Sequence, residues 1–373
     1  MISISLCMIV KNEEACISRC LASIHGLVDE IIIVDTGSTD RTKSIVRPFT
    51  DKLFDYAWND DFAAARNYAF SLASSDYIFW LDADDELKEN DRMKLLSLKE
   101  TLDPSVDSVT MEYHLSFDEW GNVQSSLRRN RLVKRANGFK WIGPVHEYLE
   151  VAGIIIDSDI AITHSPLPRT EPSRRNLRIY EKRLAQGEIF SPRDLFYYAN
   201  ELKDHHIYDR AIHYYERFLG TGEGWVEDNI AACQNMADCY HELGEPEREI
   251  NSLLRSLLFD SPRAETCCRL GYFFMEKSQY PSAVYWYEQA IQSARRKSWG
   301  LVNHACSTWL PHLQLCVCYD RLGEYDKAYF HNEAARRYRP KDERILHNKA
   351  YLETVLADRH QEALCAPVSS HAP

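Results

Sequence analysis

The sequence has no apolar run approaching the ~18 residues that a membrane-spanning helix needs, so no transmembrane segment is expected. It has no excess of positive charge either. A formal net charge of −12 over 373 residues argues against a nucleic-acid phosphate surface or an anionic membrane face as the main partner. Its 11 cysteines form no Cys-x-x-Cys pair, and they are odd in number and scattered. That pattern excludes a disulfide or zinc frame and reads as reduced, small apolar fillers. The opening Met1-Ile2-Ser3-Ile4-Ser5-Leu6 lacks a basic region and a signal-peptide layout, and is already strand-like. These absences together predict a cytoplasmic protein. Length predicts two domains, and 45% apolar content is ample for their cores.

What is present begins with Tyr77-Ile78-Phe79-Trp80-Leu81, an aromatic and branched run that reads as a buried strand. It runs straight into Asp82-Ala83-Asp84-Asp85-Glu86. Open α/β sheets bind ligands at the C-terminal ends of their strands. Asp82 and Asp84 alternate along an extended backbone, so they share a face and suit a hard divalent cation bridging a diphosphate. Taken alone, the same acids also read as a solvated turn.

Earlier segments change the balance. Residues 2–10 form an apolar strand, and 30–35 (Glu-Ile-Ile-Ile-Val-Asp) a second, whose continuous β-branched run fits a parallel sheet covered on both faces. Residues 52–56 form a weaker third strand, and Asp60 or Asp61 caps a helix containing Arg66. This alternation predicts a doubly wound, parallel sheet with right-handed crossovers. Asp35 ends the second strand, where it can accept hydrogen bonds from a nucleobase or ribose. Arg66 can neutralise a phosphate with its planar fork. Base contact, phosphate contact and metal ligands at one sheet edge describe a nucleotide–diphosphate–metal site.

Met8-Ile9-Val10-Lys11-Asn12-Glu13-Glu14, Ile33-Val34-Asp35-Thr36-Gly37-Ser38-Thr39-Asp40, Phe62-Ala63-Ala64-Ala65-Arg66-Asn67 and Leu81-Asp82-Ala83-Asp84-Asp85 resemble the successive motifs of the family 2 glycosyltransferases of the GT-A fold. The similarity covers roughly the first 165 residues, and four motifs in order are specific where one is not. The resemblance implies a Rossmann-like, mostly parallel sheet. It places Val10, Asn12 and Glu13 near the nucleotide, Asp35 facing the base and Arg66 facing the nucleotide-sugar. By the same carry-over, Asp82 approaches the ribose or metal and Asp84 ligates the metal. It also implies an inverting, in-line transfer.

Residues 108–115 read as a further strand, and 128–135 concentrate cations, as a solvated face or as a neighbour of the donor's diphosphate. Gly138-Phe139-Lys140-Trp141-Ile142-Gly143-Pro144-Val145-His146-Glu147 has the composition of an acceptor site. An inverting transfer needs a group to take the acceptor proton. Glu147 resembles in position the family's acidic residue at the acceptor loop, and His146 is its competitor as base. His164, at the end of the strand through Ile160-Ala161-Ile162-Thr163-His164, corresponds to a late histidine that completes the metal shell in related enzymes. An imidazole ligand favours Mn²⁺ over Mg²⁺.

Three prolines within residues 165–172 mark a linker. Beyond about residue 192 the chain is helical and repetitive. Ala199, Leu202, Ala211 and Tyr215 recur as Ala237, Tyr240, Glu249 and Leu253, as Gly271, Phe274, Ala283 and Tyr287, and as Cys316, Tyr319, Ala328 and Asn332. The steps between sets are 38, 34 and 45 residues, with an insertion expected near residues 295–299. Such spacing resembles the tetratricopeptide repeat, whose period is 34. Glu249 and Asn332 depart from it at helix-packing positions.

The expected architecture is therefore a GT-A domain over residues 1–165, a linker and connecting helix over 166–190, an all-α tetratricopeptide-type solenoid over 191–357, and a disordered tail over 358–373. The expected function is inverting transfer of a hexose from a nucleotide-sugar, UDP-linked, with Mn²⁺ or Mg²⁺ as cofactor. The solenoid makes a peptide or protein the expected acceptor. This domain order is similar to that of the sublancin-type bacteriocin peptide S-glycosyltransferases. A cell-envelope glycan or lipid-linked saccharide is the competing acceptor, and a non-catalytic scaffold the competing class. Homo-oligomerisation is left open.

Overall fold

The computed structural model describes residues 1–167, 173–293 and 299–365. Part of the proline-rich linker, most of the expected insertion and the last eight residues of the tail lie outside the described residues. The chain divides into two compact units, the first holding most of residues 1–243 and the second most of 244–373.

In the first unit, β1 (Ile4–Val10), α1 (Ile17–Ile24), β2 (Glu30–Asp35), α2 (Thr42–Val46), β3 (Leu53–Asp55), α3 (Phe62–Ser71) and β4 (Tyr77–Trp80) alternate as strand and helix. They are followed by β5 (Asp85–Glu86), α4 (Glu89–Thr101), β6 (Ser108–Phe117), β7 (Val123–Lys134), β8 (Lys140–Ile142), β9 (Tyr148–Glu150) and β10 (Ile155–His164). The main sheet runs β3-β2-β1-β4-β7-β6-β10-β5. Its first four strands are parallel, as the alternation predicts. The remainder is mixed, because β7 enters antiparallel beside β4 and β6 pairs with β7 as a hairpin.

The strands are apolar on both faces because both are covered. Leu6, Met8, Ile33 and Phe79 pack on one side against Ile17, Leu21 and Ile24 of α1 and Leu95 of α4. Cys7, Ile32, Val34, Ile78 and Trp80 pack on the other against Ala63, Ala69 and Phe70 of α3. Helix α3 starts at Asp61, whose side chain accepts from the Ala64 amide at 2.8 Å. The effect of these crossovers is to bring the C-terminal ends of β1, β2 and β4 and the first turns of α3 to one edge. Among the described residues, ten cysteines are unpaired and buried, as fillers should be.

The first unit continues into α5 (Arg175–Ala185), α6 (Pro192–Asp204), α7 (Tyr208–Thr221) and α8 (Val226–Glu242). Helices α6 and α7 form a hairpin closed on Ala199, Ala211 and Tyr215, all fully buried. Ser191 and Asp194 form a capping box at the start of α6.

The second unit holds α9 (Pro246–Arg255), α10 (Ala264–Glu276), α11 (Tyr280–Ser293), α12 (Trp309–Arg321), α13 (Tyr325–Tyr338) and α14 (Glu343–Cys365). Helices α10–α11 and α12–α13 are hairpins whose small positions, Ala283, Cys316 and Ala328, are buried at the helix contacts. The two departures from the repeat have local reasons. Asn332 is fully buried and donates to the Ile345 carbonyl at 3.1 Å, tying α13 to α14. Glu249 takes a 2.7 Å ion pair from Arg269. Helix α12 ends at Gly323, whose φ of +74° allows the Glu324 amide to return to the Tyr319 carbonyl at 2.9 Å. Among the described residues, no helix is long and apolar enough to cross a membrane.

Candidate functional site

A cavity of about 730 Å³ opens at the sheet edge where β1, β2 and β4 end. Val10, Glu13, Arg66, Asp82, Asp84, His146, Glu147 and His164 line it, so residues up to 154 positions apart meet there. Asn12 and Asp35 do not line it. Asn12 instead braces the loop after β2: its amide donates to Ser38 Oγ at 2.9 Å, and its side-chain oxygen accepts from the Thr39 amide at 2.8 Å. Asp35 is fully buried, and its Oδ1 accepts from the Gly37 and Ser38 amides at 2.9 and 2.8 Å. Its Oδ2 is buried without a hydrogen-bond partner among the described residues. An orphaned acceptor of that kind is costly unless a donor reaches it.

Arg66 is the centre of the polar network. It donates from Nη2 to Asp82 at 2.6 Å and from Nε to Glu147 at 2.7 Å. Its guanidinium lies against the rings of Trp80 and Trp141, 5.1 and 4.7 Å away. Burial pushes the Asp82 carboxyl up, but the Arg66 charge outweighs that and holds it below the usual carboxylate range. Trp141 is 4% exposed, and its indole N–H is buried without a partner among the described residues, a second orphan on the cavity wall.

The acidic run after β4 splits by role. Asp85 is fully buried and saturated: it accepts from Tyr113 Oη at 2.8 Å, from the Asp82 amide at 3.0 Å and from Arg131 Nη1 at 3.0 Å. Asp84 is half-buried and faces His164 Nδ1 at 3.6 Å. Burial pushes the Asp84 carboxyl up, with the charges of Asp82, Asp85 and Glu13 adding to it and His164 opposing. For His164, burial works to lower the imidazole, but the carboxylates of Asp85 and Asp84 prevail and hold it above its ordinary value. Ligand atoms of Asp84, Asp85 and His164 lie within 4.8 Å of one another. Two carboxylates and an imidazole form a donor set able to hold a divalent metal ion. Asp85 already accepts three protein hydrogen bonds and His164 Nδ1 lies 3.0 Å from Tyr113 Oη, so Asp84 is the member with the most coordination capacity to spare. Asp82, committed to Arg66, stands outside the cluster.

His146 adopts a left-handed φ of +51°, uncommon for a non-glycine residue. Its Nε2 lies 2.7 Å from Glu201 of α6. The basic segment proves to be the last half of β7. Arg131 in it has no exposed surface, and its charge meets Asp85 and the faces of Trp80 and Tyr113 at 3.9 and 4.4 Å. Sequence reading assigned no role to Asp85, Tyr113 or Glu201, and read Arg131 only as part of a cation run, a solvated face or a neighbour of the donor's diphosphate. Asp85 and Arg131 stood inside quoted motifs, but their burial and pairing depend on strand register. Glu201 lies 55 positions from His146 with no local signal linking them.

Residues 5–157 match the family model described as glycosyl transferase family 2. Among curated relatives, the chain is 30% identical over 230 residues to the SPbeta prophage-derived glycosyltransferase SunS of Bacillus subtilis, covering 57% of this chain and 52% of that protein. It is 39% identical over 150 residues to a TPR repeat-containing protein of Synechococcus elongatus, covering 40% of this chain and 36% of that one. An uncharacterized glycosyltransferase of Rickettsia felis is 38% identical over 86 residues, covering 23% and 30%. The chain thus spans about half the length of SunS and about a third of the other two. Solved structures with partial likeness include MamA, at 19% identity and a TM-score of 0.33 over 48% of this chain and 85% of that one. Another is the C-terminal part of a TPR repeat-containing protein from Cytophaga hutchinsonii, at 16% identity and a TM-score of 0.40 over 49% and 66%. Residues 5–157 are thus similar to glycosyl transferase family 2 domains, and the chain continues beyond them into helical hairpins.

Proposed function

We propose that this protein transfers a hexose from a UDP-linked sugar, with inversion at the anomeric carbon, to a thiol or hydroxyl of a peptide or protein acceptor. The observation that carries this reading is the convergence of Arg66, Asp82, Asp84 and His164 on one cavity at the sheet edge. Asp35, buried behind the cavity wall, serves the nucleotide end by holding the Gly37 and Ser38 amides of the loop after β2. Val10, Glu13 and Asn12 shape the nucleotide end, Asn12 by fixing the loop after β2. Asp82 and Arg66 hold the sugar side of the donor between them, and the Trp141 N–H donates to an oxygen of the bound ligand.

Asp84 and His164 hold the divalent cation, with Asp85 as the buried brace. When bound, the cation offsets the charge that develops on the departing diphosphate. We assign the acceptor proton to His146. Glu147 Oε1 is occupied by Arg66, whereas no protein atom among the described residues bonds His146 Nδ1. Glu147 then serves to aim Arg66. The peptide acceptor rests on the helical hairpins, since stacked repeats present surfaces for extended chains; the alignment with SunS, a named glycosyltransferase, supports the transfer alone.

Calorimetric titration of UDP-glucose, UDP-GlcNAc and GDP-mannose, with and without Mn²⁺, tests the donor half of this reading. One UDP-sugar is expected to bind in a Mn²⁺-dependent way, and Asp84→Ala is expected to weaken it at least tenfold. Binding of none of the three by the unaltered protein would sink the transferase reading.

A further inference from the structure

Helix α6 presents three side chains, spaced four residues apart, to one histidine. Arg193 donates from Nη2 and Nε to the His146 carbonyl at 3.0 and 3.2 Å. Tyr197 stacks on the imidazole, with centroids 4.5 Å apart and planes 15° from parallel. Glu201 meets its Nε2 at 2.7 Å. Residues i, i+4 and i+8 form one stripe of a helix, so the whole stripe is spent on His146. Asn176, at the start of α5, donates to the same Glu201 oxygen at 3.0 Å. Glu201 is 8% exposed. Burial pushes its carboxyl up, but the bonds from His146 and Asn176 outweigh that and keep it below its ordinary value.

An ionised carboxylate only accepts hydrogen bonds, so the nitrogen facing it must carry the proton. We propose that Glu201 is a positioning residue for the transfer: it fixes the His146 proton on Nε2 and leaves Nδ1 as the bare nitrogen of a ring that lines the cavity. The inference rests on the proposed transferase function. In the step it serves, the acceptor S–H or O–H gives its proton to Nδ1 and the acceptor atom bonds the anomeric carbon. The bond from that carbon to the diphosphate oxygen breaks, and the nucleoside diphosphate leaves with the electron pair. The imidazolium so formed is stabilised by Glu201. A helix C-terminal to the family 2 domain thereby completes its site, which no residue of the matched segment 5–157 supplies for His146 Nε2.

A glutamate that only anchored α6 would be replaceable by glutamine, whose oxygen still accepts from an N–H. Glutamine can also donate, so it no longer dictates the tautomer. The test uses the full chain with ¹⁵N-labelled histidine, and His146→Gln identifies the His146 signals. The expected wild-type spectrum shows a single Nε2–H tautomer, Glu201→Gln gives a mixture, and Glu201→Asp restores most of the wild-type pattern. On the donor that binds, Glu201→Gln should lower kcat about 10²-fold with the donor KM changed less than twofold. A wild-type ring protonated on Nδ1, an unaltered tautomer in Glu201→Gln, or full kcat in that variant overturns the proposal. The tautomer measurement needs no substrate, so it decides the ring's placement even if the nucleotide-sugar titration fails.

Discussion

Arg131 is a cation without exposed surface, and its surroundings show how the fold accommodates it. Asp85 lies at 3.0 Å, the Trp80 carbonyl at 3.2 Å, and aromatic faces cover both sides of the guanidinium. Its Nε and Nη2 have no hydrogen-bond partner among the described residues, and they meet the π-faces of Trp80 and Tyr113 instead. The pair in turn fixes Asp85, which holds the Asp82 amide and the Tyr113 hydroxyl. Replacing Arg131 with leucine strands a buried carboxylate, which costs about 3–5 kcal/mol. Arg131→Leu should therefore lower the denaturation midpoint sharply, and adding Asp85→Asn should recover part of the loss. If the double variant is less stable than Arg131→Leu alone, the stranded charge is not the cause.

Among the elements, the helix contact at Gly271 is the tightest test of the repeat packing. A Cβ added there would lie 2.8 Å from the ring of Tyr287, which is 1% exposed. Alanine would gain up to about 1 kcal/mol in helix propensity but must displace a buried ring, at about 1–3 kcal/mol. The ring should win. Gly271→Ala is expected to destabilise by about 1–2 kcal/mol, and Tyr287→Leu in the same chain to relieve it, as read by thermal unfolding. This contact was legible in the sequence, because a small residue and an aromatic at repeat spacing are properties of the chain itself. So were β1, β2 and β4, whose apolar runs match a sheet buried on both faces. The antiparallel entry of β7 beside β4 was not. It depends on long-range pairing that no local pattern encodes, and with it went the roles of Arg131 and Asp85. The site divides likewise. Val10, Glu13, Arg66, Asp82, Asp84, His146, Glu147 and His164 were legible as motif residues, whereas the Arg66–Glu147 pair and the α6 stripe needed the fold.

At the scale of the whole molecule, every residue assigned to the donor, the cation or the proton belongs to the first compact unit, including Glu201 of α6. Donor binding and acceptor binding should then be separable by where the chain is cut. We propose residues 1–165 as the transferase domain and 191–357 as the repeat array. A cut at residue 190 removes Glu201 along with the array and so confounds the two functions. A cut after Leu243 keeps α5 to α8, and with them the clamp on His146. A chain ending there should bind whichever nucleotide-sugar the full protein binds, within about twofold by calorimetry. If the later hairpins hold the peptide, its KM should rise at least tenfold, since apparent affinity falls with the contact surface removed. Retained donor binding with an unchanged peptide KM would place acceptor recognition on the first unit alone. Loss of both, with the far-ultraviolet signal intact, would refute the separation itself.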